Sequence, residues 1–415
     1  MSISYNLPFV KFSQLLLLFF LTTYRVIYYN TLWIKNNKEF DMKITLTATC
    51  LFGLEKQLGE EIEALGYKKT ETIDGRVSFS ADIDAIAKCN ISLRLAERIY
   101  IRLGQFRATS FSELFDGTKS IAWEQWIGKN DAFPVKGHSI KSKLFSVPDC
   151  QKIIKKAIAQ RLEDEYNISW FKEEGAKYQV EFFILKDMAT LMIDTSGVPL
   201  HKRGYRTEAN AAPLRETLAA ALALTSRPRE NVLLWDPFAG SGTIAIEAAM
   251  IMAGISPGLH RSFASESFSQ IPKKTWDNQR ELAFSKIKKT SFCAYASDID
   301  DNCIKIAEAN AARAGVSDIL HIFKYDARKI KKPDVRGSIV TNPPYGERLM
   351  TETEVQALYR DIGATFRALA PWQIYVLSSV ENFERLYGKR ADKVKKLYNG
   401  MIPCYLYQFF KQERK

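Results

Sequence analysis

Histidine is scarce in this chain, four residues in 415, and its six cysteines include no C-x-x-C pair. A metal site of the usual Cys/His spacing is therefore not expected. Cys50, Cys89, Cys150, Cys293, Cys303 and Cys404 are scattered, most of them in apolar runs. They read as buried, reduced thiols of a cytoplasmic protein rather than as a disulfide framework. The apolar run at residues 12–21 falls short of the ~20 residues that span a bilayer, and no small-x-small cleavage site follows it. No internal repeat and no low-complexity segment is present. With 46% hydrophobic, 26% charged and 12% aromatic residues, a mostly disordered, collagen-like or polytopic membrane chain is excluded. Negative charge is in deficit: 47 Asp+Glu against 59 Lys+Arg leave +12, which favours a polyanionic partner such as nucleic acid.

The length suits two or three domains. Regular periodicity begins at Met42, so residues 1–41 read as a dispensable or mis-annotated extension, with a membrane tether as the alternative. A strand at 43–49, a helix at 54–65, an Asp74-Gly75 turn, a strand at 76–79 and a helix at 83–95 form a small α+β unit. Strands at 98–103, 133–140, 178–185 and 188–193, with helices at 111–119 and 149–165, continue in the same class. A polar stretch at 197–207 leads to an Ala/Leu-rich helix at 214–225. Strands (232–235, 293–297, 319–324, 338–341, 374–377) then alternate with helices (243–253, 304–314, 355–369). That alternation predicts a doubly wound parallel sheet, closed by a last strand at 404–410.

The first strand of this second half ends in Asp236-Pro237-Phe238-Ala239-Gly240-Ser241-Gly242-Thr243 and runs into a helix. Glycines there let backbone approach a ligand where a side chain would collide. The loop has neither the lysine of a P-loop nor a G-x-G-x-x-G pattern. A carboxylate at its start repels phosphate but suits the cationic amino and sulfonium groups of S-adenosylmethionine. Asp298 ends the next strand, placed for ribose hydroxyls. Asp326, after the third, could accept from an adenine amino group, with Ile299 against the base. Asp236 and Asp298 are 62 positions apart, not the ~20 of a simple dinucleotide fold, so roughly residues 255–290 read as an inserted excursion.

The strand at 338–341 leads into Asn342-Pro343-Pro344-Tyr345. The prolines cannot continue the sheet and fix φ, so the turn is stiff. The Asn342 amide oxygen and the Pro343 carbonyl can together accept both hydrogens of a planar amino group while Tyr345 stacks on its ring. Exocyclic amines are weak nucleophiles that need positioning more than a strong base.

With the Asp236–Thr243 loop, Ser297-Asp298-Ile299-Asp300 and Asn342–Tyr345 in this order, the second half resembles class I S-adenosylmethionine-dependent methyltransferases that modify amino groups. The region from Met42 to about Asp194 resembles a ferredoxin-like plus THUMP module that binds structured RNA. The segments 201–206 and 212–217 are similar to those joining such modules in the large-subunit ribosomal RNA guanine N2-methyltransferase family. The resemblance implies an α/β, Rossmann-like methyltransferase domain at 213–415. Before it come the extension at 1–41, a ferredoxin-like part at 42–84, a THUMP domain at 85–196 and a linker at 197–212. It implies S-adenosylmethionine as methyl donor and N2 of a guanine in RNA, 23S (large-subunit) ribosomal RNA foremost, as acceptor. Asp236, Phe238, Gly240, Gly242, Thr243, Asp298, Ile299, Asp326 and Ala327 would hold the cofactor, and Asn342, Pro343, Pro344 and Tyr345 the base. Lys136, Lys141 and Lys143 in the THUMP-like part, with Arg203, Tyr205 and Arg206 at the junction, are the expected RNA contacts. The lysine-rich stretches at 273–289 and 389–396 either touch RNA or solvate helices. No metal and no membrane partner is expected. Transfer RNA guanine or DNA adenine methylation, and a non-catalytic RNA-binding assembly factor, are the alternatives.

Overall fold

The computed structural model describes residues 43–206, 214–345 and 351–410; the expectations for residues 1–41 and for the end of the linker lie outside them. From Ile44 onward the chain builds two seven-stranded sheets. The first has the order β2-β3-β1-β4-β7-β6-β5, from β1 (Ile44–Thr49), β2 (Lys69–Ile73), β3 (Arg76–Ala81), β4 (Arg98–Arg107), β5 (Val135–Ile140), β6 (Val180–Leu185) and β7 (Met188–Asp194). Strict alternation makes these strands: in β6 Val180, Phe182 and Ile184 are buried while the residues between them are half-buried. All pairs are antiparallel except β5 with β6.

Strand β4 pairs with β1 on one side and β7 on the other, so the ferredoxin-like and THUMP parts share one continuous sheet. Helices α1 (Glu55–Ala64) and α2 (Ala85–Ser92) belong to its first part, and α3 (Phe111–Lys119) and α4 (Val147–Tyr166) to its second. The termini carry local signals. Ser110 accepts from the Glu113 N–H to cap α3, Pro148 sits in the first turn of α4, and Asn167 ends that helix in the left-handed region.

The second sheet runs β10-β9-β8-β11-β12-β14-β13. Five strands are parallel: β8 (Leu233–Asp236), β9 (Ala294–Asp298), β10 (Leu320–Lys324), β11 (Gly337–Thr341) and β12 (Gln373–Ser378). An antiparallel β14 (Ile402–Phe409) and β13 (Lys393–Asn399) complete the edge. Helices α5 (Glu216–Ser226), α6 (Thr243–Met252), α8 (Asp301–Ala314), α9 (Glu352–Arg367) and α10 (Phe383–Tyr387) flank it, while α7 (Lys273–Phe284) packs against α2 of the first part. One face of the sheet is a core in which Ile339, Ile374 and Val376 meet Tyr359 and Phe366 of α9 and Phe383 and Tyr387 of α10. The doubly wound expectation holds. The lysines of 393–396 lie on an edge strand rather than a helix, because alternate positions, Lys395 and Leu397, turn inward against neighbours.

The excursion at 255–290 serves as a strut between the two sheets. Its Phe268 ring stacks on Tyr178 at 4.0 Å, and Gln270 accepts from the Tyr178 hydroxyl while donating to the carbonyls of Gln125 and Trp126. Beside it, Glu247 of α6 is fully buried and receives Arg94 (3.1 Å), Arg203 (3.3 Å) and the Tyr205 hydroxyl (3.2 Å). A buried carboxylate is tolerated only when paired and hydrogen-bonded in this way; removing one partner of such a cluster costs about 3–5 kcal/mol.

Candidate active site

The carboxyl ends of β8, β9 and β11 converge at one edge of the second sheet, where an open α/β fold binds its ligands. Asp236 ends β8 and is 1% exposed. Its Oδ1 accepts from the Thr341 hydroxyl at 2.6 Å and from the Phe238 N–H at 3.2 Å. Burial pushes this carboxyl up to about 7, and the nearby Asp298 adds repulsion. Such a group is poised to accept a cationic neighbour, whose charge would favour the ionised form.

The loop after Asp236 needs its glycines. Gly240 and Gly242 have φ of +51° and +80°, a region costly for other residues. A Cβ on Gly242 would lie 3.1 Å from that of Ala307 on α8, so the glycine also lets the helices close. Thr243 opens α6, and the buried Asn310 amide donates to the Ser241 carbonyl at 3.0 Å, pinning the loop from below. Asp298 ends β9. Its Oδ2 accepts from the Gly240 N–H at 2.9 Å and its Oδ1 from the Asp300 N–H at 3.1 Å, which brings the second motif onto the first. Each oxygen keeps a lone pair for a further donor. Ile299 beside it is 60% exposed, an apolar surface open to a planar ring.

Asp326 differs from the expectation. It caps the short turn Ala327–Lys329, and both of its oxygens accept from the Arg328 guanidinium, which holds the carboxyl below the usual range. An adenine amino group would have to share it. Ala327 is buried in the core rather than facing the edge.

Asn342 follows β11, and its amide oxygen is buried with no hydrogen-bond partner among the described residues. A buried acceptor left open costs about 1–3 kcal/mol, a penalty that a ligand's N–H would remove. Pro343 is buried next to it, and the Pro344 carbonyl accepts from Tyr359 at 3.4 Å. Tyr345 is half-buried, its hydroxyl accepting from the Asn399 amide at 3.2 Å, and burial raises its pKa. The residues fit a bound methyl donor: a glycine cradle, carboxylates for cationic and hydroxyl groups, an open apolar ring surface and an unfilled acceptor for an amine.

Sequence reasoning missed Thr341, Asn310 and Asn399. Thr341 carried a signal, a hydroxyl immediately before the tetrapeptide, whereas the partners of Asn310 and Asn399 are distant in sequence. The junction residues require a correction. Arg203 and Tyr205 are 4% exposed, and both are bound to Glu247. Arg206 donates to the Leu214 carbonyl and to Glu216. Arg203 also donates to the Arg94 carbonyl and so ties the two halves together, its guanidinium spent on buried acceptors, whereas Tyr205 and the half-buried Arg206 bond within the second half. Lys136 pairs with Glu181 at 3.4 Å, while Lys141 and Lys143 are exposed and without an ion pair among the described residues. No cluster able to hold a metal ion occurs among the described residues. None of their helices is long and apolar enough to cross a membrane.

Comparison with known proteins agrees with this geometry. Residues 45–100 match the RlmL ferredoxin-like domain, 108–194 the THUMP domain and 203–408 the RMKL-like methyltransferase domain. The chain is 42% identical to "Putative RNA methyltransferase YpsC" of Bacillus subtilis (strain 168) over 375 residues, 90% of this chain and 97% of that protein. It is 32% identical to "Ribosomal RNA large subunit methyltransferase K/L" of Psychromonas ingrahamii over 366 residues, 85% of this chain. It spans about half of that relative's length, 48%. The solved structure of SMU.472, "a putative methyltransferase complexed with SAH", superposes with a TM-score of 0.84 at 38% identity, covering 90% of this chain and 99% of that one. The ferredoxin-like, THUMP and Rossmann-like parts, the glycine loop and these relatives together assign the chain to the THUMP-domain, RMKL-like family of S-adenosylmethionine-dependent RNA methyltransferases.

Proposed function

We propose that the chain methylates the N2 amino group of a guanine in large-subunit ribosomal RNA. The observation that carries this reading is the buried, unpartnered Oδ1 of Asn342 beside Pro343 and Tyr345. A planar exocyclic amine offers two hydrogens, one for this oxygen and one for the Pro343 carbonyl, and its ring can stack on Tyr345. S-adenosylmethionine, when bound, supplies an electrophilic methyl group. Asp236, Asp298 and the Gly240–Gly242 backbone would hold it, with Ile299 against its adenine ring.

The task of the tetrapeptide is alignment: the amine lone pair is delocalised, and holding it in line for transfer is worth more than a strong base. Asn342 and Pro343 would carry the amine hydrogens until one is shed to solvent, as the donor's S–C bond breaks and the new N–C bond forms. The carboxylates repel phosphate, so the RNA backbone is held by cations elsewhere, Lys141 and Lys143 among them. The relatives named for large-subunit ribosomal RNA support that substrate, and a cytoplasmic enzyme is the reading that goes with it.

Mass mapping of modified nucleosides in ribosomal and transfer RNA from cells lacking the protein tests the reading. Loss of one N2-methylguanosine from large-subunit ribosomal RNA is expected. Loss confined to transfer RNA, loss of a methyladenosine instead, or an unchanged nucleoside profile would overturn it.

A further inference from the structure

At the amino edge of the second sheet a cleft of about 1200 Å³ opens between the strand starts, the end of α5 and helix α1 of the first sheet's module. It is separate from the candidate active site, which lies at the other end of the same strands, roughly 15 Å away at the rise of a β-strand. Seven Lys and Arg residues line it against two carboxylates, Glu60 and Asp334. Arg227, Arg229 and Arg336 are exposed and form no ion pair among the described residues. They contrast with Arg94, Arg203 and Arg206, whose charges are spent on Glu247 and Glu216. Arg227 holds φ at +52° to end α5, a position where glycine would cost less, so the turn alone does not call for a guanidinium there.

A second, independent observation points into the same cleft. Gln408, in register with Tyr375 and Lys393, is 5% exposed, and its amide nitrogen has no acceptor among the described residues. A buried N–H donor without a partner is costly, and here it lies among unpaired cations. Guanidinium forks, ammonium groups and an amide donor around one hollow suit phosphate oxygens, which accept several hydrogen bonds each. Gln57 braces the cleft, donating to Thr225 and accepting from Lys395, so both modules contribute to its walls.

We propose that this amino-edge cleft binds the phosphate backbone of the RNA substrate, a second contact on the far side of the sheet from the base being modified. The inference rests on RNA being the substrate. It adds that the RNA is large enough to reach round the catalytic domain, since a short strand seated at Asn342 does not extend to the other edge. Phosphate contacts release counterions, so they are readable as salt dependence.

The test uses the full chain and a radiolabelled in vitro transcript of large-subunit ribosomal RNA in filter binding at several salt concentrations. The variant Arg227→Gln/Arg229→Gln/Arg336→Gln should bind at least tenfold more weakly at low salt. Its slope of log K against log salt should be shallower by about two to three, while S-adenosylmethionine affinity by calorimetry stays within twofold. Gln408→Met should weaken RNA binding without lowering the melting temperature, because it removes an unpaired buried donor. Wild-type RNA binding that survives the triple substitution within twofold, at unchanged slope, overturns the cleft alone. A wild-type chain that binds no RNA overturns both the cleft and the substrate reading. Poly-glutamate binding that depends on the three arginines, where RNA binding does not, would identify an acidic protein surface as the occupant and overturn the proposal.

Discussion

At the carboxyl edge of the second sheet the ligand-facing groups are Asp236, Asp298 and the open amide oxygen of Asn342, all acceptors. At the amino edge of the same strands Arg227, Arg229, Arg336 and the open amide nitrogen of Gln408 are donors, outnumbering the carboxylates of Glu60 and Asp334. A cationic cofactor and a polyanionic RNA make opposite demands, and on the proposals above the sheet would meet them by giving each demand one end of its strands. At roughly 15 Å, beyond the Debye length of about 8–10 Å near physiological salt, the edges are largely screened from each other. Damage at one edge should therefore leave affinity at the other intact.

The sharpest break of this comparison is Asn342→Ala. Methyl transfer under single-turnover conditions should fall ~10²-fold or more, because an amine misplaced by an ångström loses about that much. Affinity for S-adenosylmethionine should stay within about twofold and RNA affinity should fall by no more than about tenfold, the worth of one hydrogen bond; a rate close to wild type would remove Asn342 from the alignment role. Next in size is Asp236→Asn, which keeps the acceptor for Thr341 and removes the charge. Cofactor affinity should drop on the order of 30-fold, as for truncating one member of a buried charge pair, with RNA affinity unchanged. Equal affinity in a folded variant would show that the carboxylate does not face the cofactor.

The Asp236 carboxyl also predicts a pH dependence. Its folded value, raised by burial to about 7, lies above the ordinary one of 3.8. The cofactor-free protein thus binds the extra proton between those values, and this group's contribution to stability declines as pH rises from about 4 to 7. A cationic ligand favours the ionised form, so cofactor affinity should climb up to tenfold per pH unit below about 7 and level off above it. Calorimetry in two buffers of different ionisation enthalpy should register proton release on binding at pH 6. A flat profile with no proton release sinks the assignment.

The smallest effects concern Tyr345. Tyr345→Phe loses only the hydrogen bond from Asn399 and should slow transfer less than about tenfold. Tyr345→Ala also loses the stacking face and should cost more, about ten- to a hundredfold. Equal rates for the two would exclude stacking as the residue's role.

Much of the carboxyl edge is legible in the amino-acid sequence. Glycines at a strand-to-helix turn, an acid closing a strand and prolines ending one are local features, each interpretable from its neighbours along the chain. The same holds for the alternation that marks the parallel strands, and for the Ala/Leu-rich helix against them. Thr341, one residue ahead of the tetrapeptide, is within reach of the same reasoning. The misplaced residues share one physical cause, which is that local composition does not fix exposure. Arg203, Tyr205 and Arg206 form a basic and aromatic junction, and only the arrival of Glu247 and Glu216 from other helices buries Arg203 and Tyr205 and pairs the half-buried Arg206. The lysines at 393–396 have the composition of a solvated helix face, and pairing with β14 makes them an edge strand.

The amino-edge cleft lies further out of reach, since its walls come from α1, the end of α5, the strand starts and the two last strands. By itself the sequence determined the elements, the glycine loop, the Asn342–Tyr345 turn and the net positive charge, because each depends on backbone preferences and on side chains close along the chain. Only the tertiary structure decided which charges are spent and which remain free, because pairing and desolvation depend on distances in space between residues far apart in sequence.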